Sequence, residues 1–148
     1  MNPSLKFIPK GNKVGSYELW IPGRPVPLAR ARGKAGGRPF DPKRNRLHKA
    51  KILKAFNELK LRVCPWPGPV RLHLYFLYEP EKTVYWEGKD CTGDPDLDNL
   101  IKAVQDALNT HLWEDDNQII GVLAEKAYHP SPGTLICFEL YAPTYKGK

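Results

Sequence analysis

The sequence predicts an α+β domain with a small mixed sheet of about four strands and two main helices. Two segments, residues 47–63 and 97–109, carry apolar side chains at helical spacing. Residues 70–78 alternate between apolar and polar side chains, a pattern typical of a half-buried strand. Such a composition favours a two-layer domain with both helices on one face of the sheet. Three further strand-like runs complete the sheet: residues 17–21, 117–128 and 133–142.

The length and charge of the chain limit its organisation. At 148 residues it is most simply one domain, with residues 17–148 as the domain and residues 1–16 as a flexible N-terminal tail. Lys and Arg number 23 against 16 Asp and Glu, so the formal net charge is +7, which favours a polyanionic partner such as nucleic acid. No apolar run of 18 residues is present, so no membrane partner is expected.

Cysteine usage indicates the compartment. Cys64, Cys91 and Cys137 are an odd number of widely spaced thiols with no C-x-x-C pair. This pattern disfavours a disulfide framework or a zinc site and fits a reducing environment. The N-terminus also lacks the apolar segment of a signal peptide. We therefore expect a cytoplasmic protein.

The boundaries of the elements follow from the residues that surround them. After residue 63 comes the run Cys64-Pro65-Trp66-Pro67-Gly68-Pro69, which cannot continue a helix. In the segment 133–142, apolar residues occupy both alternations, so the sequence leaves the buried face of that strand open. In the segment 70–78 one face is clearly apolar: Val70, Leu72, Leu74 and Phe76.

The second helical segment lies between two groups of aspartates. Its apolar residues fall within about 100° of arc at 3.6 residues per turn, which predicts one buried stripe. The stripe consists of Leu97, Leu100, Ile101, Val104 and Leu108. Pro95 suits the position just before a helix start. Five aspartates flank the helix: Asp94, Asp96 and Asp98 at its start, and Asp115 and Asp116 beyond its end.

Two interpretations of these aspartates remain open. An aspartate at a helix N-terminus commonly caps free amides and stabilises the helix by roughly 1 kcal/mol. Asp98 and Lys102, four residues apart, could be an ordinary exposed ion pair. One carboxylate is enough for a cap, however. The excess favours oxygen ligands for a hard divalent cation such as Mg²⁺.

The N-terminal half contains a segment dense in cations, prolines and glycines. Arginine can grip phosphates with two hydrogen bonds, and a loop of this composition can follow a phosphate backbone. The alternative is a solvated surface loop. The candidate DNA-binding residues are Arg24, Arg30, Arg32, Lys34, Arg38, Lys43 and Arg44.

The motif around the acidic helix resembles the RusA family of Holliday-junction resolvases. The matching residues are Asp96-Leu97-Asp98-Asn99-Leu100 with Lys102, then Asp106-Ala107-Leu108, Trp113 and Asp115-Asp116. Upstream, Gly23-Arg24-Pro25-Val26-Pro27 and the Arg-rich segment resemble phage and prophage members. The resemblance covers most of the chain from Tyr17 onward, and Asp94 is an addition ahead of the motif.

The resemblance implies a homodimeric, Mg²⁺-dependent endodeoxyribonuclease that resolves four-way DNA junctions by paired phosphodiester hydrolysis in recombination and repair. It implies no small-molecule cofactor beyond the metal, and a bacterial cell, a phage or a prophage as the source. Asp96, Asp98 and Asp116 would hold the metal with Asp115 as an accessory acid, and Lys102 would be the catalytic lysine.

The spacing of the aspartates raises a question about how they meet. A helix of about 13 residues is roughly 20 Å long. The seven residues 110–116 span at most about 25 Å. Asp116 therefore reaches the acidic start of its own helix only if this connection runs nearly straight back; otherwise the third carboxylate comes from elsewhere, for example across a dimer interface. The helix stripe and the edge of the last strand are the two candidate interfaces.

Two other functions remain open. The first is a non-catalytic DNA-binding protein whose aspartates only cap a helix. The second is a metal-dependent phosphohydrolase of small substrates, although a small anion would not need so many cations.

Overall fold

The computed structural model describes residues 11–28, 43–81 and 90–143. It has two main helices and a four-stranded mixed sheet, which confirms the predicted α+β class. Within the described residues, no helix is both long and apolar enough to cross a membrane. The elements are β1 (Lys13–Pro22), α1 (Lys43–Glu58), β2 (Val70–Tyr78), α2 (Leu97–Leu108), a 3-10 helix (Asp116–Gln118), β3 (Ile119–Tyr128) and β4 (Gly133–Tyr141).

The strands lie in the order β1-β4-β2-β3. β2 and β3 are parallel, whereas β4 pairs antiparallel with both β1 and β2. The helices cover one face of the sheet, because the buried residues of α1 and α2 form one core with alternate strand residues. In β4 these are Thr134, Ile136, Phe138 and Leu140, which answers the question of the buried face that the sequence left open.

The element boundaries agree with the sequence best where the hydrophobic period is clear. β2 matches its predicted range, and α2 ends one residue early. α1 was predicted four residues too late at its start and five too late at its end. It stops before the proline run because Lys60 has a φ of 53°, outside the helical region. β1 starts at Lys13, four residues before the predicted strand.

The connection from β2 through α2 to β3 fixes where the two acidic groups lie. Because β2 and β3 are parallel neighbours, α2 must run back across the sheet between them. The first residues of α2 therefore lie at the end of the sheet where β2 and β3 stop. Its last residues lie at the opposite end, where these two strands begin. Two backbone hydrogen bonds are consistent with this arrangement. The amide of His129 donates to the carbonyl of Tyr78 at one end of the sheet, and the amide of Trp66 donates to the carbonyl of Leu112 at the other.

Neither of the two candidate dimer surfaces is free. Leu100, Val104 and Leu108 of the α2 stripe are fully buried in the core of their own chain. β4 is an inner strand with a neighbour on each side, so it presents no edge. The fold therefore leaves neither of these two surfaces open to a second copy.

Candidate active site

The start of α2 presents two aspartates to solvent. Asp96 occupies the N-cap position, and its carbonyl accepts from the amides of Asn99 and Leu100 at 3.2 and 3.3 Å. Its carboxylate makes no capping hydrogen bond. Asp98 lies in the first turn, and Lys102 lies one turn further along; all three charged side chains are exposed. Helix capping therefore does not account for the Asp96 carboxylate, which remains available to a ligand.

Lys126 holds the turn that leads into this helix, a role that was not predicted from the sequence. Its Nζ atom donates to the carbonyl oxygens of Gly93 and Pro95 at 2.7 and 2.9 Å. The lysine lies near the end of β3, opposite Phe76 in the sheet register, on the helix-covered face. A lysine at a position where the strand pattern calls for an inward side chain was the available signal. The bonds connect β3 directly to the two residues that flank Asp94, of which Pro95 also precedes Asp96.

Cations from two other elements adjoin the acidic turn. Arg24 and Arg44 line one surface cavity together with Asp94. The guanidinium carbon of Arg24 lies 5.1 Å from the ring centre of Tyr78, at the end of β2. Burial raises the pKa of Tyr78 to about 12, and its neutral hydroxyl donates to the carbonyl of Pro25 at 3.4 Å. These contacts place two positive side chains beside the acidic turn.

The first part of the cation-rich segment is hydrogen-bonded to the start of α2. The amide of Leu28 donates to the carbonyl of Asn99 in the first turn of α2, at 3.1 Å. Lys43 and Arg44 are exposed in the first turn of α1, where cations oppose the helix dipole and so do not serve helix stability. Four further candidate DNA-binding residues lie outside the described residues: Arg30, Arg32, Lys34 and Arg38.

The second acidic group is built into the 3-10 helix before β3. The buried indole of Trp113 donates from Nε1 to Oδ1 of Asp116 at 2.7 Å, which fixes that carboxylate. Asp115 caps the 3-10 helix, since its Oδ1 accepts from the amide of Asn117 at 2.9 Å. Asp115 thus has a local structural role, whereas the accessory role that the family resemblance implies for it stays a prediction.

Gln118 anchors this turn to the start of β2. Its Nε2 donates to the carbonyls of Trp66 and Gly68 at 2.6 and 2.9 Å. Its Oε1 accepts from the amides of Glu114 and Asp115 at 2.8 and 2.9 Å. All four polar contacts of one side chain are therefore used to position the turn that carries Asp116.

One chain brings together only part of the predicted site. One end of the sheet carries Asp96, Asp98 and Lys102 on adjacent turns. The opposite end carries Asp115 and Asp116. The 12 residues of α2 separate the two groups by about 18 Å. In the part of the chain that the structure describes, no three Asp, Glu, His or Cys side chains are grouped to hold a metal ion. The connection from α2 to the 3-10 helix does not run back along the helix.

Comparison with known proteins identifies the family of this chain and one similar protein. The family model described as endodeoxyribonuclease RusA matches residues 22–139. The chain belongs to this family, which confirms the resemblance found in the sequence. It is also 42% identical to the uncharacterized protein YqaN of Bacillus subtilis (strain 168) over 41 residues, 28% of this chain and 29% of YqaN. The match thus spans less than a third of that relative.

Proposed function

We propose that this protein is a Mg²⁺-dependent endodeoxyribonuclease that resolves Holliday junctions as a homodimer, in DNA recombination and repair. The observation that carries the proposal is the family match, because residues 22–139 include both acidic groups and Lys102. The free Asp96 carboxylate supports it, since a purely structural aspartate at an N-cap would bond the helix amides. The protein would act in the cytoplasm of a bacterial cell, because its DNA substrate would be there. This holds whether the gene is cellular, phage or prophage.

The donor set fits the metal. Carboxylate oxygens are the ligands that Mg²⁺ takes, commonly one or two from the protein together with waters and substrate phosphate. Asp96 and Asp98 would supply two from one subunit, and Asp116, with Asp115 beside it, would supply the rest. When bound, the ion would lower the pKa of a water and offset charge on a phosphate oxygen.

The other side chains have separate tasks in the reaction. Hydrolysis adds water across one P–O bond of the backbone and leaves a phosphate end and a hydroxyl end. Lys102 would place its ammonium group near the charge that develops on the phosphate. Arg24 and Arg44 beside Asp94 would bind the flanking phosphates and orient the strand.

A homodimer would complete each site. Within one chain the two acidic groups lie at opposite ends of α2, about 18 Å apart. In a dimer with a two-fold axis, the Asp116 end of one subunit can meet the Asp98 end of the other, and this happens twice. The two resulting sites are related by the same axis, as paired incision of a four-way junction requires.

Junction cleavage with matched variants tests the proposal. The wild type with Mg²⁺ should cut a synthetic four-way junction on two strands, and removal of the metal by chelation should stop cutting. Asp98→Asn and Asp116→Asn should each bind the junction without cutting it. Glu114→Gln, at an exposed acid two residues from Asp116, should cut normally. Binding without incision at any Mg²⁺ concentration would instead indicate a DNA-binding protein, and hydrolysis of small phosphate esters alone would indicate a phosphohydrolase.

Mixing the two inactive variants tests whether the sites are shared between subunits. In a heterodimer of Asp98→Asn with Asp116→Asn, a shared arrangement places both changes in one site and leaves the other intact. The mixture should then regain nicking of a single strand. If each site belongs to one chain, both sites of the heterodimer are defective and no activity returns.

A further inference from the structure

We infer that a groove beside β1 is a docking surface for an acidic segment of a partner protein, a segment that also carries apolar side chains. This β1 groove is a cavity of about 330 Å³ that is lined by Val14 and Tyr17 of β1, residues 60–63 and Trp66 after α1, and Leu140 of β4. None of the candidate catalytic, metal-binding or DNA-binding residues lines it. The inference therefore goes beyond the proposed function and does not depend on it.

The walls of the β1 groove are mainly aliphatic. Val14 and Val63 are 56% and 57% exposed, more than any other large apolar side chain among the described residues. Leu61 is half-buried beside them, and Leu140 is buried. Single exposed apolar side chains are common on protein surfaces, but two that share one cavity with further apolar residues indicate a binding site. The groove thus suits an apolar side chain of another molecule.

Two cations belong to the same lining. Lys60 and Arg62 are exposed, and no aspartate or glutamate lines the groove with them. Within residues 11–28, 43–81 and 90–143, no carboxylate forms an ion pair with either side chain. Carboxylates of a ligand can therefore bind both cations without breaking an existing pair. Because cations and aliphatic residues alternate from Lys60 to Val63, a complementary ligand combines acidic with apolar residues.

The groove is formed before any ligand binds. The amide of Lys60 donates to the carbonyl of Asn57 at 3.1 Å, which holds the turn after α1 with a φ of 53° at Lys60. On the other side, Nε1 of Trp66 donates to the carbonyl of Tyr141 at 3.0 Å. A ligand that enters a fixed groove orders less of the protein, so less conformational entropy opposes binding.

A single-stranded nucleic acid is the main alternative ligand, since aromatic rings and cations together also bind bases. Base stacking requires an open ring face, however. The ring of Tyr17 stacks on that of Phe138, with 5.3 Å between the ring centres, and the most exposed side chains of the lining are Val14 and Val63. An aliphatic side chain therefore fits this groove better than a base does.

The segments of this chain that adjoin the groove in sequence have the wrong charge to be its ligand. Residues 1–10 precede β1 and residues 144–148 follow β4. Together they contain four lysines and no aspartate or glutamate. Lys60 and Arg62 repel such segments, so the acidic residues come from another protein.

NMR titration of the isotope-labelled full chain tests the inference with defined peptides. A synthetic peptide with two leucines between aspartates should shift the amide signals of Val14, Leu61 and Val63 in a saturable way. The same peptide with serines in place of the leucines should bind at least about fivefold more weakly, because it buries no apolar side chain. Equal affinity of the two peptides, or no saturable shift at these residues, would overturn the inference.

Matched variants show whether the two cations of the groove are responsible. Lys60→Asn with Arg62→Gln should weaken binding of the leucine peptide about fivefold or more, and asparagine tolerates the positive φ at residue 60. Lys51→Gln with Lys54→Gln removes the same charge from exposed positions of α1 and should leave the affinity unchanged. Circular dichroism establishes that both double variants are folded. Equal losses in the two variants would refute the role of the groove.

A short single-stranded oligonucleotide separates the two kinds of ligand. It should leave the signals of Val14, Leu61 and Val63 unchanged and should not displace the leucine peptide. Saturable shifts of these signals by the oligonucleotide, with displacement of the peptide, would assign the groove to nucleic acid and overturn the inference. Junction cutting does not enter these measurements, so a protein that binds the peptide but cuts no junction would refute only the proposed function.

Discussion

The Nζ atom of Lys126 lies 2.9 Å from the carbonyl oxygen of Pro95, the residue immediately before Asp96. A second bond of 2.7 Å to Gly93 makes this ammonium group a brace across the acidic turn. Lys126→Met keeps the aliphatic chain and removes both bonds. We expect the rate of junction cutting to fall about tenfold or more, and the Mg²⁺ concentration needed for half-maximal cutting to rise. Supporting residues of this kind typically contribute 10- to 100-fold to metal affinity or activity.

Two further variants separate positioning from a general loss of charge. Lys54→Met removes an exposed lysine from α1 and should leave the Mg²⁺ dependence of cutting unchanged. Lys126→Arg retains a donor and should recover part of the activity. Junction affinity should change little in all three variants. An unchanged Mg²⁺ dependence in Lys126→Met would contradict the role.

Gln118 allows an isosteric test of how the other acidic group is held. Gln118→Glu keeps the oxygen that accepts from Glu114 and Asp115 but replaces the donor that faces the Trp66 and Gly68 carbonyls with a negatively charged oxygen. Two hydrogen bonds become repulsive contacts. We expect the free energy of unfolding, measured in urea, to fall by about 2 kcal/mol or more, and cutting to fall because the turn that carries Asp116 shifts.

The control for this change is Asn57→Asp, which also adds one negative charge at an exposed position near the end of α1. It should alter the unfolding free energy by no more than about 0.5 kcal/mol. Equal stability of the two variants would mean that Gln118 does not anchor the turn.

The sequence predicted what periodicity and close spacing determine. The range of β2 and the stripe of α2 follow from alternation and from the 3.6-residue repeat. Asp96 and Asp98 lie close together because only Leu97 separates them in the chain. The first turn of α1 was missed because its residues 43–46 carry no apolar side chain to reveal the period. The spacing of apolar residues continues past Glu58 as far as Val63, so the predicted end of α1 was also too late.

The arrangement of the site depended on tertiary structure. The position of Asp116 relative to Asp98 is set by the parallel pairing of β2 and β3, which no local pattern reveals. The contacts of Lys126 with Pro95 and of Gln118 with Gly68 join segments that are 31 and 50 residues apart in the chain. The inward position of Lys126 on its strand marks it as unusual, but neither residue type indicates which backbone carbonyls it contacts.

His48 gives α1 a pH-dependent contribution to stability. It is 8% exposed and lies in the cavity between α1, the 26–28 segment and α2. Burial, with a smaller effect of Lys51, lowers its pKa from 6.5 to about 4. In the unfolded chain the imidazole takes up a proton near pH 6.5, whereas in the folded chain it stays neutral down to about pH 4. The stabilisation is therefore complete above pH 6.5 and is lost progressively as the pH falls toward 4.

Urea unfolding at pH 7.5 and at pH 5 measures this effect. The lowered pKa predicts that His48 makes the wild type about 2 kcal/mol less stable at pH 5 than at pH 7.5, beyond the contribution of other groups. His48→Gln cannot take up the proton, so its stability should fall by about 2 kcal/mol less over the same interval. His111→Gln, at an exposed histidine, should follow the wild type. If His48→Gln loses as much stability as the wild type, the imidazole must be charged inside the fold, and some other group accounts for the loss in acid.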